Sequence, residues 1–101
     1  MPRTRLSPQR LADSAEMLRA LAHPLRLGII ALLDEEGQLT VTEIHEALEV
    51  EQAVASHHLA IMKNKGLLNV EREGRNCYYS LRYECLTMVL SCMELCRKKQ
   101  G

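Results

Sequence analysis

Apolar residues recur at helical spacing through the first two thirds of the chain, then at every second position, then at helical spacing again. Leu11, Ala15, Leu18 and Ala22 mark one face of a first helix. Ser7-Pro8 writes its start, a hydroxyl that can cap followed by a proline suited to the first helical position. His23-Pro24 interrupts this pattern, because a proline disfavours a helical residue before it and suits the opening of a new helix. A second helix carrying Leu25, Ile29, Leu32 and Leu33 therefore meets the first at a corner and ends near Gly37. Thr40-Val41-Thr42-Glu43 fits a capping box ahead of a short third helix with Ile44, Ala47 and Leu48. After a brief turn, Gln52 to Lys65 forms a fourth helix, closed by Gly66, whose inner face is predicted to hold Val54, His58, Ile61 and Met62, with Leu59 at its flank.

The period then drops to two. Leu68-Asn69-Val70-Glu71-Arg72 and Cys77-Tyr78-Tyr79-Ser80-Leu81 flank Glu73-Gly74-Arg75-Asn76, which predicts a hairpin with the glycine in its turn. A short strand is also expected at Gln38-Leu39. A fifth helix runs from about Tyr83 to Lys98. The expected fold is mostly α with a β-hairpin wing, a winged helix-turn-helix of five helices, and 101 residues fit a single domain over 1–101.

Composition narrows the function. Hydrophobic residues at 47% and charged ones at 26% are ordinary for a chain that folds. With no Trp, no Phe and only three Tyr, the core must be aliphatic, and base stacking as in an RNA-recognition sheet has little to work with. The formal net charge is zero, but the charges are segregated. Residues 1–33 carry five basic and two acidic side chains, residues 34–51 none and seven, and residues 52–101 eight and four. The overall balance is therefore a poor guide to partners. No apolar run reaches the roughly 20 residues of a membrane span, and the opening Met1-Pro2-Arg3-Thr4-Arg5 lacks the apolar stretch of a signal peptide. A cytoplasmic protein without a membrane partner is expected, with Cys77, Cys85, Cys92 and Cys96 as reduced thiols.

The outer face of the fourth helix presents Gln52, Ser56, His57 and Lys63 beside small Ala53 and Ala60, which would let the helix sit deep in a groove of double-stranded DNA. Gln pairs with an adenine edge, Ser and His reach bases or phosphates, and Lys63 suits a phosphate. A merely solvated polar face is the other reading of the same residues. In the hairpin, Arg72, Arg75 and Asn76 surround a flexible tip suited to phosphates or a minor groove, against an ordinary solvated turn, while Glu71 and Glu73 weaken its local charge. His58, on the inner face, reads as a hydrogen-bonded core histidine. Glu51, just before the helix, caps less well than a serine and repels nearby phosphate.

Leu21-Ala22-His23-Pro24-Leu25-Arg26-Leu27, Gln52-Ala53-Val54-Ala55-Ser56-His57-His58-Leu59, Lys65-Gly66-Leu67-Leu68 and Glu73-Gly74-Arg75-Asn76-Cys77-Tyr78-Tyr79-Ser80-Leu81 together span most of residues 15–81. In content and order they resemble the ArsR/SmtB family. The resemblance implies a small homodimeric transcriptional repressor that leaves its operator when a metal, arsenic or an oxidant occupies a sensor site, and it favours DNA contact by Gln52, Ser56 and His57.

The fifth helix is apolar almost all round, with Glu84, Thr87, Ser91 and Glu94 as one narrow polar stripe. One core cannot cover it, so pairing with the same helix of a second copy, flanked by the first helix, is expected to give a C2 homodimer whose two recognition helices match a palindromic operator. Cys85, Cys92 and Cys96, spaced by seven and four, share one stripe of this helix. Cys85 and Cys96 lie roughly 16 Å apart along the axis and cannot share an ion within one chain, but Cys85 of one copy could approach Cys96 of the other. No cofactor is required by the residues. A thiophilic metal or metalloid ion at Cys85, Cys92 and Cys96 is the ligand they suggest, beside thiol oxidation and plain packing.

Counted from Tyr78-Tyr79, Cys85 and Cys96 resemble positions that hold histidine ligands in the family's zinc sensors. The accompanying carboxylate positions are Tyr83 and Lys99 here. The cysteine pair of the arsenic and lead sensors is absent from residues 41–50, as is the persulfide sensors' cysteine from the second helix. An enzyme is not expected, since His57 and His58 sit on a different helix from Cys92 and Cys96, with no glycine-rich oxyanion loop. A winged-helix module that binds protein and senses no inducer is the alternative reading, favoured by the zero net charge and the acidic stretch 34–51.

Overall fold

The computed structural model describes residues 3–100. Met1 and Pro2, the opening of the stretch read as lacking a signal peptide, lie outside the described residues, as does Gly101. The elements are α1 (Pro8–Leu21), α2 (Pro24–Glu36), β1 (Gln38–Thr40), α3 (Val41–Leu48), α4 (Gln52–Asn64), β2 (Leu68–Glu73), β3 (Asn76–Leu81), a 3-10 turn (Glu84–Leu86) and α5 (Thr87–Gln100). This is a winged helix-turn-helix. No helix among the described residues is long and apolar enough to cross a membrane.

Local hydrogen-bond chemistry sets most of these boundaries. Ser7 Oγ accepts from the Arg10 amide at 3.2 Å, with Pro8 opening α1. His23 caps α2, its Nδ1 accepting from the Leu25 amide at 3.1 Å. Gly37 closes that helix at φ 86°, a conformation that costs a residue with a Cβ but not glycine. The capping box on α3 is complete, with Thr40 Oγ1 accepting from the Glu43 amide and Glu43 Oε1 from the Thr40 amide.

The three strands form one antiparallel sheet in the order β1-β3-β2. Thr40 is thus both the last residue of β1 and the cap of α3. Tyr79 on β3 lies opposite Leu39 on one side and Val70 on the other, so β1 fastens the wing to the helical body. Pairing in the hairpin extends to Glu73 and Asn76, further than the sequence pattern predicts, leaving a two-residue turn. Gly74 takes the first turn position with φ 61°, while Arg75 keeps a negative φ, which is the type II′ geometry that matches the twist of paired strands.

The core is aliphatic. Ile29, Ile30 and Leu33 from α2, Ile44 from α3, Leu59 and Met62 from α4, and Leu67 are almost entirely shielded from solvent. On α4 the inner face differs from the predicted one. Val54 is exposed, whereas Ala55, His58, Leu59 and Met62 are buried. At 100° per residue the buried arc lies about 65° round from the predicted one. Both arcs contain His58 and Met62, so period alone could not choose between them; packing of Leu59 into the shared core does.

The last helix also begins differently from expectation. Tyr83 is extended, and a 3-10 turn over Glu84–Leu86 precedes α5, with the Thr87 hydroxyl donating to the Glu84 carbonyl. Of this segment Leu86 is buried, and α5 itself has no buried residue. The radius of gyration is 15.3 Å, against about 13 Å for a compact chain of this length.

Candidate functional site

The α4 helix stands on its inner arc and shows its outer arc to solvent. Gln52, Ala53, Ser56, His57, Ala60 and Lys63 are all exposed, opposite the buried arc. Glu51 occupies the N-cap position without a side-chain hydrogen bond, as its weak capping ability predicts. The turn between α3 and α4 is held by a residue that sequence reasoning did not single out. The His45 carbonyl accepts from the Val50 amide, and His45 Nδ1–H donates to the Val50 carbonyl, both at 3.1 Å. Glu49, between them, is left-handed at φ 55°. The only hint in the sequence is a histidine one turn before a short polar loop.

The other tie on α4 is internal. Arg26 Nε–H donates to His58 Nδ1 at 3.1 Å, and Arg26 Nη1–H donates to the Ala20 carbonyl at 3.1 Å. One guanidinium thus joins α2, the last turn of α1 and the inner face of α4. The His58 ring lies 4.3 Å from that of His23 and 5.3 Å from that of His57, measured between centroids. Burial, followed by the neighbouring charges of His23, Arg26 and His57, holds the His58 pKa below the usual histidine value. The core-histidine reading of His58 is correct. Its partner Arg26 lies 32 residues earlier, beyond the reach of local patterns.

The wing separates its polar residues. Arg72 pairs with Cys77 and Glu73 with Asn76, so alternation puts Arg72 and Cys77 on one face of the hairpin and Glu73 and Asn76 on the other. Arg75 sits in the turn. Arg72, Arg75 and Asn76 are all exposed, but they do not form one cationic face.

Cys77 is half-buried, while Cys85, Cys92 and Cys96 are exposed. The 3-10 turn moves Cys85 by about 40° around the axis relative to a continuous α-helix, leaving it roughly in line with Cys92 and Cys96. Cys85 borders an apolar groove of about 310 Å³ between α1 and α5, lined also by Ser14, Met17, Leu18, Leu21, Leu86 and Val89. Among the described residues no group of three His, Cys, Asp or Glu side chains is placed to hold a metal ion. Within one chain, only Cys92 and Cys96 are a single helical turn apart.

The arrangement of these elements is shared with known regulators. The sequence pattern described as "Bacterial regulatory protein, arsR family" matches residues 23–70, from the cap of α2 into β2. The transcriptional repressor PagR of Bacillus anthracis is 41% identical over 71 residues, 70% of this chain and 71% of that protein. Its crystal structure superposes with a TM-score of 0.76 at 33% identity, covering 86% of this chain and 99% of that one. The chain belongs to the arsR family.

Within the arsR family it is also 38% identical over 76 residues to a cadmium resistance transcriptional regulatory protein, a CadC homolog of Staphylococcus aureus. That match covers 75% of this chain but 63% of the relative, so the chain spans somewhat less than two thirds of that protein's length. A homodimeric winged helix-turn-helix DNA-binding domain of Mycobacterium bovis, Mb0332, superposes with a TM-score of 0.77 at 27% identity, covering 96% of this chain and 92% of that one.

Proposed function

We propose that the chain is a single-domain, cytoplasmic, dimeric repressor of transcription that reads a palindromic operator in double-stranded DNA. The observation that carries this reading is the division of α4 into an inner arc anchored in the core and an outer arc of polar and small side chains exposed to solvent. Gln52, Ser56 and His57 contact base edges, Ala53 and Ala60 let the helix approach closely, and Lys63 meets phosphate. Arg75 at the wing tip, with Arg72 and Asn76 beside it, adds contacts to the backbone or minor groove.

The dimer forms through α1 and α5. Leu11, Met17 and Leu18 on α1, and Met88, Met93 and Leu95 on α5, are large apolar side chains more than a third exposed, a surface that a second copy would cover. The M. bovis relative is described as homodimeric.

Retention on DNA at low salt that collapses as salt rises supports this reading. Lys63→Gln should lower the slope of log affinity against log salt by about one unit, while Ser56→Ala and His57→Ala should each cost roughly 1–3 kcal/mol on the operator and little on random DNA. Equal losses on both DNAs would remove the base-reading assignment. A chain that ignores DNA at all salt concentrations would instead be the protein-interaction module favoured by the acidic stretch 34–51.

The inducer, on this proposal, is a thiophilic metal or metalloid ion. The three thiols Cys85, Cys92 and Cys96 reach solvent, and a relative is named for cadmium resistance. Two thiolates one helical turn apart, completed by Cys85 of a second copy, give a soft donor set. Cd(II) or As(III) added to reduced protein should produce thiolate-to-metal absorbance and release DNA, and the Cys85/Cys92/Cys96→Ser triple variant should do neither. Identical responses of the two proteins would reduce the cysteines to packing residues.

A further inference from the structure

The tie between Arg26 and His58 has a property that hydrophobic contacts in the same core lack, because it exists in only one protonation state of the histidine. Nδ1 of His58 is the acceptor for Arg26 Nε–H at 3.1 Å, so the neutral ring carries its proton on Nε2. Arginine has no acceptor to offer in return and does not lose its proton near neutral pH. A proton on Nδ1 would point one donor at another and place two cations side by side. His23 has the same arrangement, its Nδ1 accepting the Leu25 amide as the cap of α2, and its ring lies against that of His58.

We propose that His58, through Arg26, is a positioning residue for the α4 helix and that a proton on its ring releases that helix from the α1–α2 corner, weakening DNA binding as the pH falls. The inference rests on the DNA-binding reading given above. The groups facing His58 are Arg26 from α2, His23 from the corner and His57 from α4 itself, each a cation or able to become one. They act together, since a charge on any of them discourages another. Nor can the same guanidinium replace the tie, since every group on it is a donor and it has no acceptor to offer a protonated ring; its Nη1 meanwhile holds the Ala20 carbonyl.

The sign follows from linkage. His58 is lowered below 6.5 in the fold, so between that folded value and 6.5 the unfolded chain binds more protons. The stabilisation is fully present above pH 6.5 and is lost as the pH falls through this window. His57 is exposed on the outer arc, faces DNA directly and lies 5.3 Å from the His58 ring, so its own contribution has to be removed. The comparison is therefore best made in a His57→Gln background.

The test follows histidine ring and arginine side-chain NMR signals of the free protein from pH 7.5 to 5.5, together with DNA affinity at both ends. The background protein is compared with His58→Asn, whose side-chain carbonyl stands near the Nδ1 position and accepts without titrating. The Arg26 Nε–H signal should shift with the His58 titration, along with amides of α4. The affinity at pH 7.5 relative to that at pH 5.5 should be larger for the background protein than for His58→Asn, in the direction that the lowered His58 pKa sets.

Arg26→Met, which removes the donor, should flatten the same ratio. A His58 titration that leaves Arg26 Nε–H and the α4 amides unmoved overturns the proposal, as does an equal affinity ratio in His58→Asn and its background. If the protein with His57 intact binds DNA at no pH, the reading of function has failed, and the NMR titration alone decides on the tie.

Discussion

The helix-turn-helix body and the outer pair of helices are built to different standards of closure. In the body, α2, α3 and α4 each contribute side chains with almost no exposed surface, and the sheet seals the remaining side with Leu39, Tyr79 and Leu81. In the outer pair, α1 buries Ala20 and Leu21 at its end, and α5 has no fully buried residue, with Val89 and Leu90 half-buried against the core. Both regions draw on similar apolar residues, so composition does not explain the contrast. The body satisfies its hydrophobic faces internally, whereas α1 and α5 leave large apolar side chains exposed. Stability of the fold and assembly of two copies should therefore respond to different substitutions.

The largest effect should come from the body. Leu59→Ala removes a fully shielded side chain from between α4 and the shared core, and such truncations cost about 2–5 kcal/mol. Urea unfolding should show this loss as a lower midpoint. A cost near zero would mean that the core collapses around the gap and is less rigid than its burial indicates.

Next comes the contrast itself. Leu18 and Met93 border one groove between α1 and α5 and are 55% and 54% exposed, so replacing both with Glu adds charge without emptying the core. We expect sedimentation to report monomers with the helical content of the parent. Leu90 is a poorer choice, because it packs against the buried cluster and its loss would mix folding with pairing. An unchanged dimer would place the interface elsewhere.

What the sequence made legible follows the same division. Elements bounded by local chemistry were readable, including the Ser7-Pro8 start, the corner at His23-Pro24, the Thr40–Glu43 box and the glycine turn of the hairpin, because the groups that hydrogen-bond there are two to four residues apart. The third strand was visible as the short run Gln38-Leu39, although its place beside β3 was not, since that pairing joins residues about forty positions apart. The rotation of α4 is not fixed by sequence, because two overlapping arcs fit the same period and only packing of Leu59 distinguishes them. Arg26 belongs to a recognisable stretch of sequence, but its role depends on a partner 32 residues away. Of the candidate interface, the outer arc of α4 was legible as a polar stripe, while the splitting of Arg72 from Asn76 depends on the strand register.

A smaller effect tests whether the body's closure begins at its caps. Thr40→Ala removes the side-chain half of the capping box and should cost about 1 kcal/mol. Because Thr40 also ends β1, hydrogen exchange should accelerate both in the first turn of α3 and in the β1–β3 pairs. Acceleration confined to α3 would show that the wing is held by its hairpin and not through β1.

The smallest effect sharpens the comparison at the turn between α3 and α4, where the body carries its one left-handed residue other than glycine among those described. Glu49 sits at φ 55°, ψ 45°, a region that costs a side-chain-bearing residue about 1–2 kcal/mol. Glu49→Gly relieves this strain but gives the unfolded chain more freedom, worth roughly 0.5–1 kcal/mol in the other direction. The difference predicts a gain of about half a kcal/mol. The two bonds between His45 and Val50 hold the turn whichever residue stands between them, so the angle of α4 and the affinity for DNA should not change. Dimer dissociation, which the proposed assembly assigns to α1 and α5, should be equally unaffected. If the glycine variant unfolds at lower urea, the turn depends on the limited freedom of Glu49 more than on the His45 clamp. His45→Ala should then cost less than the roughly 1 kcal/mol expected for a side-chain hydrogen bond.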